Sequence, residues 1–402
     1  MKITVIGQGY VGLPIALHAA KSGFEVVGFD INSKLISDLK SGKSHIEDIS
    51  DNELLIIIKS GRYIPTDNSA DINGSEIAVI AVPTPLTESR EPDLRFIESA
   101  CDILAKNLTS SALIINESTS YPGTLRNLIA KRIDSKSSVS HRFAISPERV
   151  DPGNKEWGIE NTPRLYAGLT REAAAETQTF YANFCKNLIE VSSPEVAEAA
   201  KLFENSFRQV NIALVNELAL ISSTLGISVR EVLEAADSKP YGFMKFNPGL
   251  GVGGHCIPVD PTYLAYVAKN SGTPAEFIEL ANKVNLEMPN KIMERIKKEN
   301  GGSIVGKKIL VCGISYKKDV ADIRESPSIR LIETLMQEGA NVSWHDPVVE
   351  QWNLKSSSEP TLNSYDITIV AMGHSKMDLS KISKSAPYVF DCTGLISSAN
   401  QL

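Results

Sequence analysis

Cys256 lies in a loop of glycines and prolines, FNPGLGVGGHCIPVDP at 246–261. Glycines allow backbone conformations and close approaches that a β-carbon would block, and prolines stiffen the same segment. A thiol presented in this way can act as a nucleophile once it is ionised, and His255 and Asp260 are near enough in sequence to handle protons. The segment also fits a tight turn whose cysteine is only a small apolar residue. The other motifs of the chain have to decide between these interpretations.

A glycine fingerprint begins directly after the first predicted strand, at 2–6. Gly7, Gly9 and Gly12 lie in GQGYVG, and an alanine-rich helix follows. In a dinucleotide-binding fold these glycines make the turn, admit the pyrophosphate and bring the helix against the strand. A second strand ends on Asp30, whose carboxylate would bind the ribose hydroxyls and repel a 2′-phosphate. The pattern predicts an NAD site that also includes Tyr10 and Val11.

Polar residues follow three further predicted strands. Thr84 follows the strand at 77–82, Thr119 follows 113–116, and Glu148 follows 143–145. Ligands of an open parallel sheet gather beyond the carboxyl ends of its strands, so these side chains are predicted to face one crevice. Each residue also has an ordinary structural interpretation, because threonine often caps a helix and Ser-Pro-Glu often starts one.

A long helix is predicted from Ser193-Pro194-Glu195 onward, with apolar residues at helical spacing over about thirty residues. Lys201 and Asn205 share one face of this helix with Glu198. This polar stripe is either a solvated surface or, if it faces the cysteine loop, a source of oxyanion and proton partners. The helix is longer than one sheet face requires, so its remaining apolar surface predicts a dimer contact.

A second, shorter set of strands and helices follows Gly301-Gly302. Its first strand, at 308–312, leads into GISYKKD, which lacks a complete dinucleotide fingerprint. Lys317, Lys318 and Arg324 follow this strand and would suit the phosphates of a nucleotide-linked ligand. A solvated basic turn explains the same residues equally well.

Composition excludes several classes of protein. The 402 residues have a net charge of −7 with scattered basic residues, which argues against a nucleic-acid partner. Five cysteines without a CxxC pair argue against a disulfide framework or a zinc site, and no metal is expected. No apolar run approaches the length of a membrane span, and the start of the chain does not resemble a signal peptide. We therefore expect a cytoplasmic protein of two to three domains.

Six segments in this order resemble the UDP-glucose/GDP-mannose dehydrogenase family, and the resemblance extends over nearly the whole chain. They are GQGYVGLP at 7–14, ESTSYPGT at 117–124, SPERVDPG at 146–153, EAAKLFENSFRQVNIALVNE at 198–217, GVGGHCIPVDP at 251–261 and GISYKKDVADIRESPS at 313–328. The resemblance implies an α/β fold with two Rossmann-like doubly wound domains, joined by a long central helix and a helical dimerisation region. The implied domains are an NAD domain at 1–192, a dimerisation and cysteine domain at 193–300, and a UDP-sugar domain at 301–402.

The resemblance also implies a four-electron oxidation of a sugar C6 alcohol to a carboxylate with two NAD per turnover, in a homodimer. It assigns Cys256 as the nucleophile that forms a thiohemiacetal and then a thioester. The implied catalytic residues are Cys256, Lys201, Asn205, Asp260, Glu148 and Thr119. The implied cofactor-binding residues are Gly7, Gly9, Tyr10, Val11, Gly12, Asp30, Thr84, Thr119 and Arg324. The implied substrate-binding residues are Glu148, Lys201, Asn205, Phe246, Gly253, Tyr316 and Lys317.

The branch of the family sets the expected sugar. His255 before the cysteine and Val259 after it, with REPDL at 90–94, look more like the branch that oxidises UDP-N-acetylhexosamines. UDP-N-acetylglucosamine is the first choice, with UDP-glucose and the manno and galacto N-acetyl epimers as alternatives, and a polysaccharide or glycoconjugate pathway is implied. A two-electron dehydrogenase with a structural Cys256, or a non-catalytic nucleotide-sugar sensor, would fit the same fold.

Two features depart from the family pattern. The segment SKPYGFMK at 238–245 has no arginine where relatives often place one to reach a neighbouring subunit, so Lys239 or Lys245 would have to substitute. The C-terminal domain also looks short for a complete nucleotide pocket. Neither departure affects the reactive residues.

Overall fold

A computed structural model describes residues 1–46, 48–150, 154 and 156–402. The chain forms two compact units. The first unit contains Met1–Glu204 and Tyr266–Ser271, and the second contains Asn205–Ala265 and Gly272–Leu402. The end of the predicted SPERVDPG motif, residues 151–153, lies outside the described residues.

The first unit is built around an eight-stranded sheet. Its strands are β1 (Lys2–Ile6), β2 (Glu25–Phe29), β3 (Tyr63–Thr66), β4 (Ile77–Ile80), β5 (Leu113–Asn116), β6 (Arg142–Ile145), β7 (Arg164–Gly168) and β8 (Leu188–Glu190). Its helices are α1 (Gly12–Lys21), α2 (Ser33–Lys40), α3 (Asp51–Lys59), α4 (Arg95–Asn107), α5 (Lys131–Lys136) and α6 (Arg171–Tyr181), with a 3-10 turn at Ser69–Ile72 and a π-helical turn at Leu125–Ala130. Strand β4 is apolar throughout, β5 is apolar except for Asn116, and both are buried, which is typical of a sheet covered on both faces.

The strand order of this sheet creates a crevice. The order is β3-β2-β1-β4-β5-β6-β7-β8, and all pairs are parallel except β6 with β7. The chain builds β2 and β3 on one side of β1 and then crosses to build β4 on the other side. Loops leave β1 and β4 in opposite directions, so a ligand can lie between them at the carboxyl ends of the strands.

The second unit combines helices with a smaller parallel sheet. Two helices begin in one unit and end in the other, α7 (Pro194–Leu225) and α9 (Asp260–Asn270), and α8 (Val229–Asp237), α10 (Glu276–Glu299), α11 (Pro327–Gln337) and α12 (Leu379–Ile382) belong to the second unit. Its strands are β9 (Lys308–Cys312), β10 (Asn341–His345), β11 (Gln351–Trp352), β12 (Lys355–Ser356), β13 (Ile367–Val370), β14 (Tyr388–Asp391) and β15 (Asn400–Gln401). The sheet order is β10-β9-β13-β14-β15, and β11 and β12 form a separate antiparallel pair.

The length of α7 follows from its sequence. Pro194 fits the first turn because that position needs no N–H donor, and 195–225 contain neither glycine nor proline. Gly226 then adopts a left-handed φ of +70°, and the Ile227 N–H donates to the Ser222 carbonyl at 3.0 Å, which closes the helix with a glycine cap. The helix has 32 residues, which agrees with the prediction of about thirty.

The predicted α/β fold with Rossmann-like parallel sheets is confirmed. The domain boundaries at 192 and 300 stay a prediction. No helix in the described part of the chain is long and apolar enough to cross a membrane.

The core of the first unit offers a test of the fold. Ile3 in β1 is fully buried, whereas Ile64 in β3 is about half exposed. We expect Ile3→Ala to destabilise the first unit by about 2–5 kcal/mol, because it removes packed methyl groups and leaves a cavity. Ile64→Ala is the matched control and should cost less than about 1 kcal/mol. Urea unfolding, with hydrogen exchange of the β1 and β4 amides, measures the free energy of unfolding of both variants. An equal loss of stability in Ile3→Ala and Ile64→Ala would contradict the assignment of the core.

Candidate active site

The loop between β1 and α1 is shaped for a dinucleotide. Gly7 has a φ of +92°, and a β-carbon there would collide with the Ala81 carbonyl. A β-carbon on Gly12 would collide with the Gly7 carbonyl, so helix and loop approach as closely as glycine allows. Gly9 faces open space, which leaves room for a phosphate beside the N-terminus of α1. The glycine positions therefore fit the pyrophosphate of NAD.

Asp30 directly follows β2, as predicted, and its carboxylate is held next to this loop. Oδ2 accepts the Gln8 N–H at 2.8 Å, and Oδ1 accepts the Asn32 N–H at 2.9 Å. A carboxylate has about four acceptor positions, so capacity remains for ribose hydroxyls. Gln8, between Gly7 and Gly9, is buried, and its side-chain oxygen accepts a hydrogen bond from the Tyr63 hydroxyl at 2.8 Å. This contact fixes the loop to β3. The negative charge of Asp30 would repel a 2′-phosphate, which favours NAD over NADP.

The predicted residues at the ends of β4, β5 and β6 all belong to the first unit. Thr84 is buried, Thr119 is half-buried, and Glu148 is half-buried. Ser118, beside Thr119, connects the loops after β4 and β5, because its hydroxyl accepts the Val82 N–H at 2.8 Å and donates to the Val82 carbonyl at 2.9 Å. Parallel strands place these loops at one edge of the sheet.

Glu198 on α7 holds the Thr119 loop, a role that the sequence did not reveal. Its buried carboxylate accepts the N–H groups of Gly123 at 2.6 Å and Leu125 at 2.9 Å, and the Ser120 hydroxyl at 3.2 Å. Burial raises the pKa of Glu198 to about 7, although these donors oppose the shift. The half-buried Lys201 follows one helical turn later. The only signal in the sequence was an acid at helical spacing from Lys201.

Glu148 is held by the backbone of its own loop and by an arginine. Oε1 accepts the N–H groups of Arg149 and Val150, both at 2.7 Å, and Oε2 accepts Nη2 of Arg164 at 2.9 Å. Burial would raise the pKa of Glu148, but Arg164, these N–H donors and Lys201 outweigh it and hold the pKa below its usual value. Glu148 is therefore an ionised acceptor of fixed orientation.

Cys256 is exposed in the second unit, as predicted, and the other four cysteines are buried. Its carbonyl accepts the N–H of Asp260 at 2.8 Å, so the thiol lies one turn before α9. Asp260 is buried, and its Oδ2 accepts Nδ2 of Asn205 at 2.6 Å. Asp260 thus connects the cysteine loop with α7, because it contacts Cys256 four residues earlier and Asn205 far earlier in the sequence.

The glycines of the cysteine loop permit close contacts with neighbouring elements. Asn216 on α7 donates to Asn285 on α10 at 3.0 Å and accepts the Gly249 N–H at 2.8 Å. A β-carbon on Gly251, whose φ is +118°, would collide with the Asn285 carbonyl. A β-carbon on Gly254 would approach the Tyr316 ring to 2.7 Å. These contacts determine where the loop places Cys256.

The loop after β9 also contacts the cysteine loop within the second unit. The Gly254 N–H donates to the Arg324 carbonyl at 2.9 Å, and a β-carbon on Gly253 would lie 2.6 Å from Tyr316 Cβ. The Arg324 guanidinium binds the Asp322 carboxylate, with Nη2 at 2.6 Å from Oδ2. The half-buried Lys317 lies in the same loop.

Two further predicted positions lie in the second unit. The half-buried Phe246 contacts Phe207 on α7, with ring centroids 6.0 Å apart. Lys239, one candidate for the missing arginine, places Nζ 5.0 Å from the Tyr241 ring, and the other, Lys245, is exposed. No group of three histidine, cysteine, aspartate or glutamate residues in the described ranges could hold a metal ion.

Comparison with known proteins gives three domain matches along the chain. Residues 1–185 match the NAD-binding domain of the UDP-glucose/GDP-mannose dehydrogenase family, 195–287 its central domain, and 310–398 its UDP-binding domain. The chain belongs to the UDP-glucose/GDP-mannose dehydrogenase family. It is accordingly an NAD-dependent nucleotide-sugar dehydrogenase, an oxidoreductase with a UDP-binding domain.

Individual members of this dehydrogenase family resemble the chain over most of its length. UDP-N-acetyl-D-mannosamine dehydrogenase of Pyrococcus horikoshii is 35% identical over 93% of this chain and 90% of that protein. UDP-N-acetyl-D-glucosamine 6-dehydrogenase of Salmonella typhi is 34% identical over 93% and 90%. The solved structure of the UDP-D-ManNAc dehydrogenase from Pyrococcus horikoshii superposes with a TM-score of 0.90, 32% identity, and coverage of 99% of this chain and 96% of that chain.

The two ends of β2 provide a test of the cofactor site in this dehydrogenase. We expect Asp30→Ala to weaken NAD binding about tenfold or more, because the ribose hydroxyls lose a charged acceptor, which is a loss of about 1.4 kcal/mol or more. Discrimination against NADP should fall as well. Glu25→Ala changes an exposed acid at the opposite end of the same strand and should leave both affinities unchanged. Calorimetric titration with NAD and NADP measures this, and unaltered NAD affinity in Asp30→Ala would contradict the assignment.

Proposed function

We propose that this enzyme oxidises the C6 alcohol of a UDP-N-acetylhexosamine to the carboxylate, with Cys256 as the covalent nucleophile. The observation that carries the proposal is the exposed Cys256 in its glycine loop, one turn before the buried Asp260–Asn205 pair. The overall reaction is balanced as one alcohol, two NAD⁺ and one water giving one carboxylate, two NADH and three protons. In each of the two oxidations, the sugar C6 carbon transfers one hydride to NAD⁺.

The residues of the chain have separate roles in this reaction. Lys201 and the Asn205–Asp260 pair stabilise charge on the substrate oxygen while the alcohol loses its proton. The Cys256 thiolate then adds to the aldehyde carbon, and oxidation of the resulting thiohemiacetal gives a thioester. Water attacks the thioester carbon, Thr119 places this water, and Glu148 accepts its proton. Capture by Cys256 explains how the aldehyde is retained between the oxidations.

The choice of sugar rests on the sequence around the cysteine. His255 and Val259 support an N-acetylhexosamine over glucose, and the relatives described above carry names with two different N-acetylhexosamines. We propose UDP-N-acetylglucosamine as the substrate, with its manno and galacto epimers as outcomes of the substrate panel below.

We also propose that the enzyme is a homodimer that pairs through α7. Large apolar side chains are exposed along this helix: Phe203, Phe207, Leu214, Ile221 and Leu225. Their spacing of four and seven residues places them along one stripe of the helix, and a contiguous apolar stripe is typical of a protein interface.

The stoichiometry of NADH tests the reaction. We expect two NADH per molecule of UDP-N-acetylglucosamine with excess NAD, and loss of steady turnover in Cys256→Ser, because a serine hydroxyl forms no thioester. Cys101→Ala alters a buried cysteine in α4 and is the matched control, which should keep full stoichiometry. Absorbance at 340 nm with a panel of UDP-sugars measures both quantities.

The alternative outcomes of this experiment are distinct. Two NADH from UDP-glucose alone would keep the mechanism and overturn the assignment of the sugar. One NADH per sugar with an unimpaired Cys256→Ser would rule out the covalent route in favour of a two-electron dehydrogenase. An absence of turnover with every UDP-sugar would instead indicate a nucleotide-sugar sensor.

Charge on the exposed stripe tests the dimer. We expect Leu214→Glu combined with Ile221→Glu to convert the dimer to a monomer, because a stripe of carboxylates would repel its copy. Ile56→Glu places the same charge on an exposed apolar position of α3 and should leave the mass unchanged. Light scattering after size-exclusion chromatography gives the molar mass, and a monomeric parent enzyme would contradict the proposal.

A further inference from the structure

Arg164 and Glu117 in the first unit have no role in the proposed reaction, yet they form a charged cluster with Glu148, which does. Arg164 in β7 lies between Glu117, directly after β5, and Glu148, after β6. Its Nη1 lies 2.8 Å from Glu117 Oε2, and its Nη2 donates to Glu148 Oε2 at 2.9 Å. Arg164 and Glu117 are both buried. Buried charges carry a large desolvation cost, so such a cluster is weak evidence for stability and calls for another explanation.

Further contacts fix the Arg164 guanidinium. Nη1 donates to the Ser146 hydroxyl at 3.1 Å, and the guanidinium carbon lies 4.6 Å from the ring centroid of Tyr181. The Tyr181 hydroxyl donates to the other oxygen of Glu117. Arg164 thus forms an ion pair with Glu117 and a hydrogen bond with Glu148. The direction of the guanidinium is therefore determined from several sides.

The result is a carboxylate with one defined open position. Each carboxylate oxygen can accept about two hydrogen bonds. Glu148 Oε1 already accepts the N–H groups of Arg149 and Val150, and Oε2 accepts Arg164. Counting the described residues, one acceptor position on Oε2 remains, and its direction depends on where Arg164 holds that oxygen. An orientation error of about 1 Å at such a group can reduce a reaction rate about 10²-fold.

We propose that Arg164, itself fixed by Glu117, Ser146 and Tyr181, is the positioning residue that orients Glu148 toward the water that cleaves the thioester. The inference rests on the function proposed above. In this step the water oxygen bonds to the thioester carbon, the C–S bond breaks, and its electron pair leaves on the Cys256 sulfur. One water proton goes to Glu148 Oε2 and then to solvent, and the carboxylic acid loses the second proton.

The charges around Glu148 give the proposal a pH signature. The titratable and charged groups that influence the Glu148 cluster lie on several elements. They are Arg164 in β7, Lys201 on α7, Glu117 after β5, Tyr181 at the end of α6 and Cys185 after that helix. Burial raises the pKa of Glu148, and Arg164 is the largest influence that lowers it. Removal of Arg164 should therefore raise the pKa of Glu148. A protonated Glu148 accepts no proton from water, so the acid limb of thioester hydrolysis should move to higher pH.

Arg164→Lys and Arg164→Met test the positioning role. Lysine keeps the charge but loses the planar fork that reaches Ser146, Glu117 and Glu148 together. We expect both variants to release two NADH in the first turnover and then to hydrolyse the thioester roughly tenfold to hundredfold more slowly. The acyl adduct on Cys256 should accumulate in acid-quenched samples, as measured by intact mass, and the acid limb should shift upward in Arg164→Met. If Arg164→Met does not fold, the double variant Glu117→Gln/Arg164→Met is measured in its place. It removes one charge of each sign and so leaves no unpaired Glu117 carboxylate in the interior.

The control and the contrary results separate this proposal from the proposed reaction. Arg142→Met is the control. It removes a partly exposed ion pair at the adjacent strand β6, in which Arg142 Nε lies 2.9 Å from Glu176 Oε1. This variant should change neither the rate of thioester hydrolysis nor its pH profile. Folded Arg164 variants with the parent rate of hydrolysis and the parent acid limb would overturn the positioning role alone. A parent enzyme that gives one NADH per sugar and no adduct on Cys256 would overturn the proposed reaction instead.

Discussion

Carboxylates that accept hydrogen bonds from loop N–H groups hold the important loops of this protein. Asp30 accepts from the glycine loop, Glu198 from the loop that contains Thr119, and Glu148 from its own loop. In the second unit Asp346 accepts the N–H groups of Ile314 and Ser315 at 2.8 and 3.1 Å. Loop amides have no partner within a helix or sheet, so a carboxylate at the right place both satisfies them and fixes the loop.

The same type of contact produces different acidities. Glu198 has backbone and hydroxyl donors only, and burial raises its pKa. Glu148 has similar backbone donors and a buried arginine, and its pKa falls. The balance between burial and Arg164 decides the direction of the shift: the pKa of Glu148 falls, whereas burial still raises the pKa of Glu117, which also contacts Arg164, to about 7.

The two parallel sheets use a strand-end acid in different ways. Asp30 after β2 is half-buried and retains acceptor positions beside a glycine that faces open space. Asp346 after β10 is fully enclosed, and it also contacts the buried His374 at 3.2 Å. Asp30 thus keeps acceptor positions, whereas Asp346 accepts N–H groups both from the loop after β9 and from its own loop. The second sheet lacks the full glycine fingerprint and lies in the part of the chain that matches the family's UDP-binding domain.

Elements with local signals could be predicted from the amino-acid sequence. Strand, glycine turn, helix and terminal acid follow one another within residues 2–30, so the NAD site could be predicted from spacing alone. The exposed Cys256 was predicted from the glycines and prolines on both sides, and α7 from an uninterrupted apolar period. Each of these patterns depends on residues that are close along the chain.

Contacts between polar residues that are distant along the chain could not be predicted, because they depend on how the elements pack. Arg164 in the apolar strand RLYAG gave one sequence signal, a charge among buried residues, but its partners Glu117 and Glu148 lie 47 and 16 positions earlier. Glu198 looked like part of a surface stripe until its contacts with Gly123 and Leu125 placed it in the interior. Burial turns such side chains from solvated groups into fixed partners, and burial depends on packing between elements rather than on local spacing.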